Sequence, residues 1–246
     1  MSTQKPRGKN SDSFNFYPIA ANIPYLITGL ASRELTLSLA FVDTMSGIQL
    51  LTDPLYRPLI SNIRELVTIE ETDLSEFLRS FEVVRLGKKQ ILLEKGERSH
   101  HMRFVSDGCL RAFYMDEKGS EYTIQFGISG WWVNDLYSYL SNTPAMDTIQ
   151  AILPSVVLQI HRDALESHFD GLPPIERFFR LKMQSAYVAL QKRTLRSMSE
   201  PLEQRYARFI RTYRDIEQRV PQYMIASYLG STPEHLSKVR KTLFHK

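Results

Sequence analysis

Six short runs of β-branched and aromatic residues follow one another over residues 81–160, and they constrain the fold more than any other feature of this sequence. The runs are FEVVRL, QILLE, MRFV, CLRAFYM, YTIQFGI and SVVLQI. Turn residues separate them, and strands at intervals of about ten residues are typical of a sandwich or a barrel. We therefore predict a small β-roll, with a hairpin at the Asp116-Glu117-Lys118-Gly119 turn.

Helical patterns flank the strand runs on both sides. Upstream, Asp53 suits a helix N-cap, and apolar residues then recur at helical spacing over residues 55–66. Downstream, a long helix is predicted over residues 175–197, followed by a helix that Ser199 caps and that has Pro201 in its first turn. The order of these elements predicts an α+β fold with an N-terminal β-roll, a long helix and a helical C-terminal domain.

One face of the predicted long helix is apolar in a coiled-coil pattern. Phe179, Met183, Ala186 and Leu190 are spaced by four, three and four residues, which places them on one stripe. An apolar stripe on a single helix needs a partner, and the small Ala186 side chain allows a close approach. We predict that the stripe is the seam of a homodimer, and packing on the β-roll of the same chain is the alternative.

The composition excludes several kinds of site. The 246 residues include one cysteine, Cys109, so an internal disulfide, a cysteine-bound iron–sulfur cluster and a structural zinc site are excluded. No HExxH arrangement, phosphate loop or nucleophile motif occurs in the sequence. We predict a protein of the reducing cytoplasm that is not an enzyme and that carries no metal and no cofactor.

The uncharged stretch over residues 13–32 does not predict a membrane span. It is long enough to cross a bilayer, but Asn15, Pro18, Asn22 and Pro24 interrupt it. It also lacks the compact apolar segment of a signal peptide. We therefore expect no contact with a membrane.

The charges are divided unequally along the chain. Residues 177–246 contain 15 Lys and Arg against 5 Asp and Glu, a net charge of +10. Residues 1–176 contain 16 basic and 22 acidic residues, a net charge of −6. A basic C-terminal part on an acidic body is the distribution expected when only that part meets a polyanion.

Residues 220–245, VPQYMIASYLGSTPEHLSKVRKTLFH, carry the most specific pattern in the chain. Pro221 opens a helix, the small Ala226 lies where a second helix crosses, and Gly230 suits a turn with positive φ. Thr232 then suits an N-cap, and Pro233 suits the first helical position. Two short helices joined by a tight turn, in the most basic part of the chain, predict a helix-turn-helix that binds double-stranded DNA.

The residues of this motif are assigned separate roles. Glu234 is predicted to accept a hydrogen bond from a cytosine amino group, and Lys238, one turn later, to donate to guanine. His235 and Ser237 are adaptable neighbours on the same helix, and Pro233 offers only an apolar contact to a thymine methyl. The predicted phosphate contacts, which set affinity and register without reading sequence, are Gln222, Thr232, Arg240 and Lys241.

These patterns divide the chain into four parts. They are an N-terminal extension whose structure the sequence does not predict, a β-roll domain, a dimerisation helix and a helix-turn-helix domain. The boundaries are 1–50, 51–172, 173–198 and 199–246.

The order of the elements and the ending RVPQYMIASYLGSTPEHLSKVRK resemble the Crp/Fnr transcription regulators over residues 55–244. The resemblance implies a cyclic-nucleotide-binding-like β-roll and a C-terminal winged helix-turn-helix. It also implies a homodimer that binds a near-palindromic DNA site and has RNA polymerase as a further partner.

The resemblance implies a nucleotide site as well, and the residues at that site depart from the family pattern. Members that bind cyclic nucleotide carry Gly-Glu and, about ten residues later, an arginine that pairs with the cyclic phosphate. Here Asn134-Asp135 and Ala145-Met146 stand at those positions, and no Arg or Lys occurs between residues 130 and 151. A buried phosphate without a cation is strongly destabilised. We therefore predict a degenerate pocket and a regulator that does not depend on cyclic nucleotide.

The sequence leaves two alternatives open. The first is a small-molecule sensor of the same family that responds to an unidentified effector. The second is a β-roll interaction module, or a cupin-like enzyme, whose basic C-terminal part has no DNA partner.

Overall fold

The computed structural model describes residues 47–244. The uncharged stretch over residues 13–32 and most of the N-terminal extension therefore lie outside the described residues. The helices of the described part, numbered along the chain, are α1 (Gly47–Thr52), α2 (Arg57–Arg64), α3 (Glu71–Arg79), α4 (Leu136–Ser141), α5 (Arg162–Gly171), α6 (Pro173–Ser199), α7 (Leu202–Thr212), α8 (Arg214–Arg219), α9 (Gln222–Tyr228) and α10 (Pro233–Phe244).

Seven strands form the β-roll. They are β1 (Phe81–Leu86), β2 (Ile91–Leu93), β3 (His101–Asp107), β4 (Cys109–Met115), β5 (Glu121–Ile128), β6 (Thr148–Ala151) and β7 (Ser155–His161). One sheet has the order β1-β7-β3 and the other the order β2-β6-β4-β5, and the neighbouring strands of both sheets are antiparallel. The mixed α+β fold class and the six predicted strands are confirmed, whereas strand β6 was not predicted.

The hairpin between β4 and β5 forms where the sequence predicts it. One carboxylate oxygen of Asp116 accepts hydrogen bonds from the backbone N–H groups of Lys118 (2.9 Å) and Ser120 (2.8 Å). Gly119 has a φ of +80°, a conformation that side chains with a Cβ rarely adopt. The turn fixes the register of β5, which is the edge strand of its sheet.

Alternate side chains of the two sheets point toward one another and fill the space between them. This core contains small and branched residues, with partly buried Val84 and Leu92 at its margin. Its buried members are Leu86, Leu93, Val105, Leu110, Ala112, Val133, Ala145, Ile149, Ala151 and Val157. The interior of the roll is thus occupied by its own side chains.

A second core lies on the outer side of the three-stranded sheet, where helices α1, α2, α3 and α5 pack with the first two turns of α6. Aromatic edge contacts are part of it, such as those of Phe77 with Phe81 and of Phe178 with Phe179.

Two helix starts, those of α2 and α7, differ from prediction. Helix α2 begins at Arg57, because Asp53 caps a preceding turn by accepting from the backbone N–H of Leu55.

The long helix α6 forms as predicted, but the start of the next helix differs. Ser199 is the last residue of α6, where its hydroxyl donates to the carbonyl of Leu195 (2.8 Å), so it does not cap α7. The N-cap of α7 is Pro201, which makes no side-chain cap hydrogen bond. The two helices are therefore separated by two extended residues, Glu200 and Pro201.

Helices α7 to α10 form a third core that includes the outer side of the four-stranded sheet. Cys109 and Phe126 come from that sheet, Ile152 directly follows β6, and the helices contribute residues such as Tyr206 and Phe209. Within residues 47–244 no strand follows β7, so the wing that the resemblance implies is not seen in the described part. None of the described helices combines the length and the apolar character that a bilayer crossing requires.

Candidate nucleic-acid interface

Helices α9 and α10 form a helix-turn-helix with the predicted turn. Gly230 has a φ of +63°, and the next backbone N–H, of Ser231, donates to the carbonyl of Ala226 (2.9 Å). The hydroxyl of Thr232 then accepts from the backbone N–H of His235 (3.2 Å), which caps the start of α10. The glycine turn and the threonine cap are thus confirmed as local geometry.

Helix α10 has one buried and one exposed side. Leu236 and Val239 are buried against the helices of the third core. The exposed residues of α10 that were assigned to DNA are Pro233, Glu234, His235, Ser237, Lys238 and Lys241. The structure therefore brings most of the predicted contact residues onto one free face.

Glu234 lies in the first turn of α10 and is fully ionised at neutral pH. A hydrogen bond from its own backbone N–H and a second from the Thr232 hydroxyl lower the pKa of this exposed carboxyl. A carboxylate only accepts hydrogen bonds. This side chain can therefore accept from a base amino group and repels a phosphate.

Arg240, which is predicted to contact a phosphate, bonds to two side chains of the helices behind α10. Its Nε donates to the hydroxyl of Tyr206 (3.0 Å), and its Nη2 donates to Oε1 of Glu217 (3.0 Å). The Tyr206 hydroxyl donates to the same carboxylate oxygen (2.9 Å), so the three groups form a closed network. The side chain of Arg240 nevertheless keeps 36% of its accessible surface, so its contact with a phosphate stays a prediction.

Gln222 is also less available than its predicted role requires. It is the first residue of α9 and is half-buried. Its side-chain oxygen is buried and has no hydrogen-bond partner among the described residues.

The predicted seam on α6 divides into two parts in the structure. Phe179 is only 4% exposed and packs on Phe77, Phe169, Phe178 and Trp132 of its own chain, which removes it from the free face. The first two turns of α6 thus follow the alternative in which the stripe packs on the same chain.

Farther along α6 the apolar side chains are free. Ala186 and Leu190 are exposed, and Leu190 retains 59% of its accessible surface. Tyr187, which the spacing did not single out, is 62% exposed. Other exposed apolar residues on this part of the helix are Val188, Leu195 and Met198. We call this surface the α6 stripe, and it has no partner within the described part of the chain.

The helix-turn-helix is docked on the edge strand β5 by hydrogen bonds. The hydroxyl of Ser227, in α9, accepts from the backbone N–H of Thr123 (2.8 Å) and donates to the carbonyl of Glu121 (3.0 Å). Apolar contacts surround these bonds, since Phe126 of β5 packs on the rings of Phe209 and Tyr228. Helix α9 is therefore attached to the sheet by directional bonds as well as by apolar contact.

Arg193, in the second half of α6, joins the same junction. Its guanidinium donates to the carbonyls of Thr123 (3.3 Å), Ile124 and Tyr228 (3.1 Å). Its Cζ also lies 4.1 Å from the centroid of the Tyr228 ring. Sequence analysis missed both Arg193 and Ser227, because neither residue belongs to a local motif and their strand partners are 70 and 104 residues away.

The predicted nucleotide site is closed by its own hydrogen bonds. One carboxylate oxygen of Asp135 accepts from the backbone N–H of Ser138 (2.9 Å) and caps α4. The other accepts from the N–H groups of Met146 (2.9 Å) and Asp147 (3.2 Å). The buried carboxylate at the position of the family's ribose-binding glutamate therefore holds the loop that follows α4.

The other predicted pocket residues have structural contacts as well. The side-chain oxygen of Asn134 accepts from the backbone N–H of Arg103 (2.8 Å). Ala145 is buried in the core between the sheets, and Met146 is exposed on the surface. Two shallow concavities, of about 390 and 470 Å³, lie beside α2 and at the start of α6, and none of these residues lines either of them.

A buried cation does lie near this site. It comes from strand β3 and not from residues 130–151, where the sequence has no Arg or Lys. Arg103 is 4% exposed, and its Nη1 donates to the hydroxyl of Ser99 (2.9 Å). Burial lowers the pKa of Arg103 to about 10, and the charges of Glu97 and Asp135 oppose that shift. The guanidinium is therefore bonded within the chain through Nη1, while its buried Nε has no hydrogen-bond partner among the described residues.

Comparison with known proteins agrees with this architecture. Residues 83–170 match the family model of the cyclic nucleotide-binding domain. None of the curated proteins matches this chain.

Solved structures resemble a larger part of the chain. FixK2 from Bradyrhizobium japonicum is 17% identical, with a TM-score of 0.57 over 66% of this chain and 84% of its own. The c-di-GMP responsive global regulator CLP from Xanthomonas campestris is 14% identical, with a TM-score of 0.56 over 71% of this chain and 91% of its own. A mutant of CooA from Carboxydothermus hydrogenoformans is 18% identical, with a TM-score of 0.52 over 68% and 78%.

These likenesses show the fold. Residues 83–170 are similar to the cyclic nucleotide-binding domain, and C-terminal helices follow this domain as they do in these solved structures.

Proposed function

We propose that this protein is a sequence-specific, DNA-binding transcription regulator of the Crp/Fnr type that acts as a homodimer. The observation that carries the proposal is the exposed face of α10, with Glu234, Lys238 and Lys241 free while Leu236 and Val239 anchor the helix. A helix that projects such a face beyond a tight turn fits the major groove of B-DNA. Its partners are double-stranded DNA, a second copy of the chain and RNA polymerase.

The charge of the C-terminal part supports a nucleic-acid partner. Residues 177–246 carry a net charge of +10, while the rest of the chain is acidic. Lys238 and Lys241 are exposed on α10, so both ammonium groups can reach a duplex. Phosphate neutralisation by such residues supplies affinity, and base contacts at the start of the helix supply specificity.

The α6 stripe supports the homodimer. It is an exposed apolar surface on a helix of 27 residues, and its members Leu190 and Tyr187 lie near the middle of that helix. Exposed apolar surface of this extent on a helix marks an interaction site, and pairing with a second α6 buries it.

The hydrogen bonds at the nucleotide site support a regulator that does not depend on cyclic nucleotide. Asp135 is engaged by three backbone N–H groups, and buried Ala145 stands at the position of the phosphate-binding arginine. Arg103, the nearby cation, is held by Ser99. A cyclic nucleotide would have to displace these contacts before it could bind there.

Selection of duplex DNA by the purified protein tests the proposal. Randomised duplexes are captured, amplified and sequenced, in parallel with the variant Lys238→Ala. We expect a near-palindromic site whose half-sites are centred about 34 Å apart, one turn of DNA. Added cyclic AMP and cyclic GMP should leave the affinity for that site unchanged. Recovery of sequences without a common motif would overturn sequence-specific binding.

A further inference from the structure

A single side chain connects three parts of the molecule near the end of the long helix. The Arg193 guanidinium of α6 donates to the carbonyls of Thr123 and Ile124 in β5 and to the carbonyl of Tyr228 in α9. Arg193 is partly buried, and its planar group lies over the Tyr228 ring. A guanidinium with several fixed donors holds such a geometry more tightly than an ammonium on a flexible stem.

Ser227 fixes α9 to the same strand from the other side. It both accepts from Thr123 and donates to Glu121, so it occupies backbone groups of an edge strand that a neighbouring strand would otherwise pair. The apolar contacts around Phe126 are less directional than these hydrogen bonds. The orientation of α9 relative to α6 is therefore set by the hydrogen bonds of Ser227 and Arg193.

We infer that Arg193, supported by Ser227, is a positioning residue that determines which spacing between DNA half-sites the protein accepts. The inference rests on the proposed function, in which α6 forms the dimer and α10 reads the DNA. Within a dimer, the angle between α6 and the helix-turn-helix sets the distance between the two α10 helices. Half-site spacing mirrors that distance, because each added base pair shifts and rotates one half-site relative to the other.

Arg193 itself is remote from the exposed face of α10, since its contacts are with β5 and α9. Loss of its contacts should therefore leave the reading of one half-site intact and loosen the geometry between two half-sites. The wild-type protein should reject a wrong spacing, whereas a loosened protein should tolerate it. The ratio of affinities for duplexes with different half-site spacing therefore measures this effect, because a uniform loss of DNA affinity leaves that ratio unchanged.

The test measures affinities of full-length protein for three duplexes. These are the duplex recovered from the randomised pool, the same duplex with its half-sites moved one base pair apart, and one with them moved one base pair closer. The variant is Arg193→Gln, and its matched control is Lys192→Gln, the exposed neighbour on α6. Both changes remove one positive charge, so a general electrostatic loss cancels when affinities are expressed as ratios between duplexes.

We expect the wild-type protein and Lys192→Gln to bind the duplexes with altered spacing at least about tenfold more weakly than the selected duplex. This is the size of loss that a mismatched base pair in a specific site causes. For Arg193→Gln we expect this ratio to fall to about threefold or less, with affinity for a single half-site equal to that of the control. Ser227→Ala should shift the ratio in the same direction. Arg193→Lys, which keeps the charge and one donor group, should lie between the two.

The outcomes separate this inference from the proposed function. A wild-type protein that binds no duplex specifically contradicts the proposed function. A wild-type protein that discriminates spacing, together with Arg193→Gln and Ser227→Ala that discriminate it equally, overturns the positioning role alone. Equal binding of all three spacings by the wild-type protein overturns it as well. If Arg193→Gln loses its folded circular dichroism spectrum, the comparison of Ser227→Ala with the wild type decides.

Discussion

Lys238 and Lys241 lie three residues apart on the exposed side of α10, and we propose different roles for them in DNA recognition. We expect Lys238→Ala to weaken binding of the selected site by about 1–3 kcal/mol and to relax preference at one base pair. Lys241→Ala should weaken all duplexes similarly and reduce the salt slope by about one unit. Titration of matched and mismatched duplexes by fluorescence anisotropy measures both effects, and equal effects of the two variants on specific and random DNA would refute these roles.

Arg240 shows how a basic residue of the proposed DNA-binding helix can have a structural function. Its bonds to Tyr206 and Glu217 hold α10 against the helices behind it. We expect Arg240→Gln to lower the free energy of unfolding by about 1–2 kcal/mol, because the carboxylate loses a charged donor in a partly buried place. The neighbouring Lys241→Gln removes the same charge from an exposed position and should leave stability within about 0.5 kcal/mol. Urea unfolding compares them, and equal midpoints would contradict the network's role.

Asp147 gives the nucleotide-site loop a dependence on pH. Burial and the charge of Asp135 raise the pKa of Asp147 from 3.8 to about 6. The folded state therefore binds a proton that the unfolded state has released, so this residue's stabilising contribution is present below about pH 4 and is lost as the pH rises through about 6.

We expect Asp147→Asn to leave stability nearly unchanged at pH 4 and to raise it by about 1 kcal/mol at pH 7, a value discounted for partial exposure. Glu117→Gln, in the exposed hairpin turn, removes the same charge and serves as the control. Denaturation at both pH values measures the difference. A gain that is equal at pH 4 and pH 7 would show that the Asp147 proton is not its source.

Helix α6 has its apolar face covered by the same chain at one end and free at the other. A carboxylate placed in a paired apolar surface is desolvated, so we expect Leu190→Glu and Tyr187→Glu to abolish self-association. Ser185→Glu adds the same charge to an exposed position outside the α6 stripe and should leave the dimer intact. Sedimentation measures the oligomeric state, and an unchanged dimer for both stripe variants would exclude this seam.

The elements could be predicted where one residue pattern determines them. The bulky strand runs specify six strands, but β6, TIQA, follows the turn residues Asn142, Thr143 and Pro144 and has no such run. The spacing of Phe179 identifies its stripe correctly without revealing which neighbour covers it, since that depends on the packing of Phe77 and Trp132.

In the candidate site too, some features could be predicted from local sequence and others could not. The turn glycine, the threonine cap and the exposed side of α10 follow from local sequence. The engagement of Arg240 and Arg193 depends on partners brought together by the tertiary fold, which residue spacing does not contain. The sequence segment that lacks a cation at the nucleotide site likewise gives no information about Arg103, which strand β3 contributes.

At the scale of the whole molecule, the acidic body and the basic C-terminal part share one apolar core through β5 and the C-terminal helices. An interface with apolar burial and directional bonds holds two units in a defined orientation. The contacts of β5 with these helices therefore hold the four-stranded sheet and the C-terminal helices together in one orientation.

The most direct test of the central claim is the affinity of the purified full-length protein for duplex DNA, measured at several salt concentrations. We expect the selected duplex to bind at least about a thousandfold more tightly than a scrambled duplex of equal length. The logarithm of the affinity should fall linearly with the logarithm of the salt concentration, with a slope set by the number of neutralised phosphates. Absence of duplex binding at low ionic strength by protein whose fold is verified, or equal affinity for the two duplexes, would contradict the account.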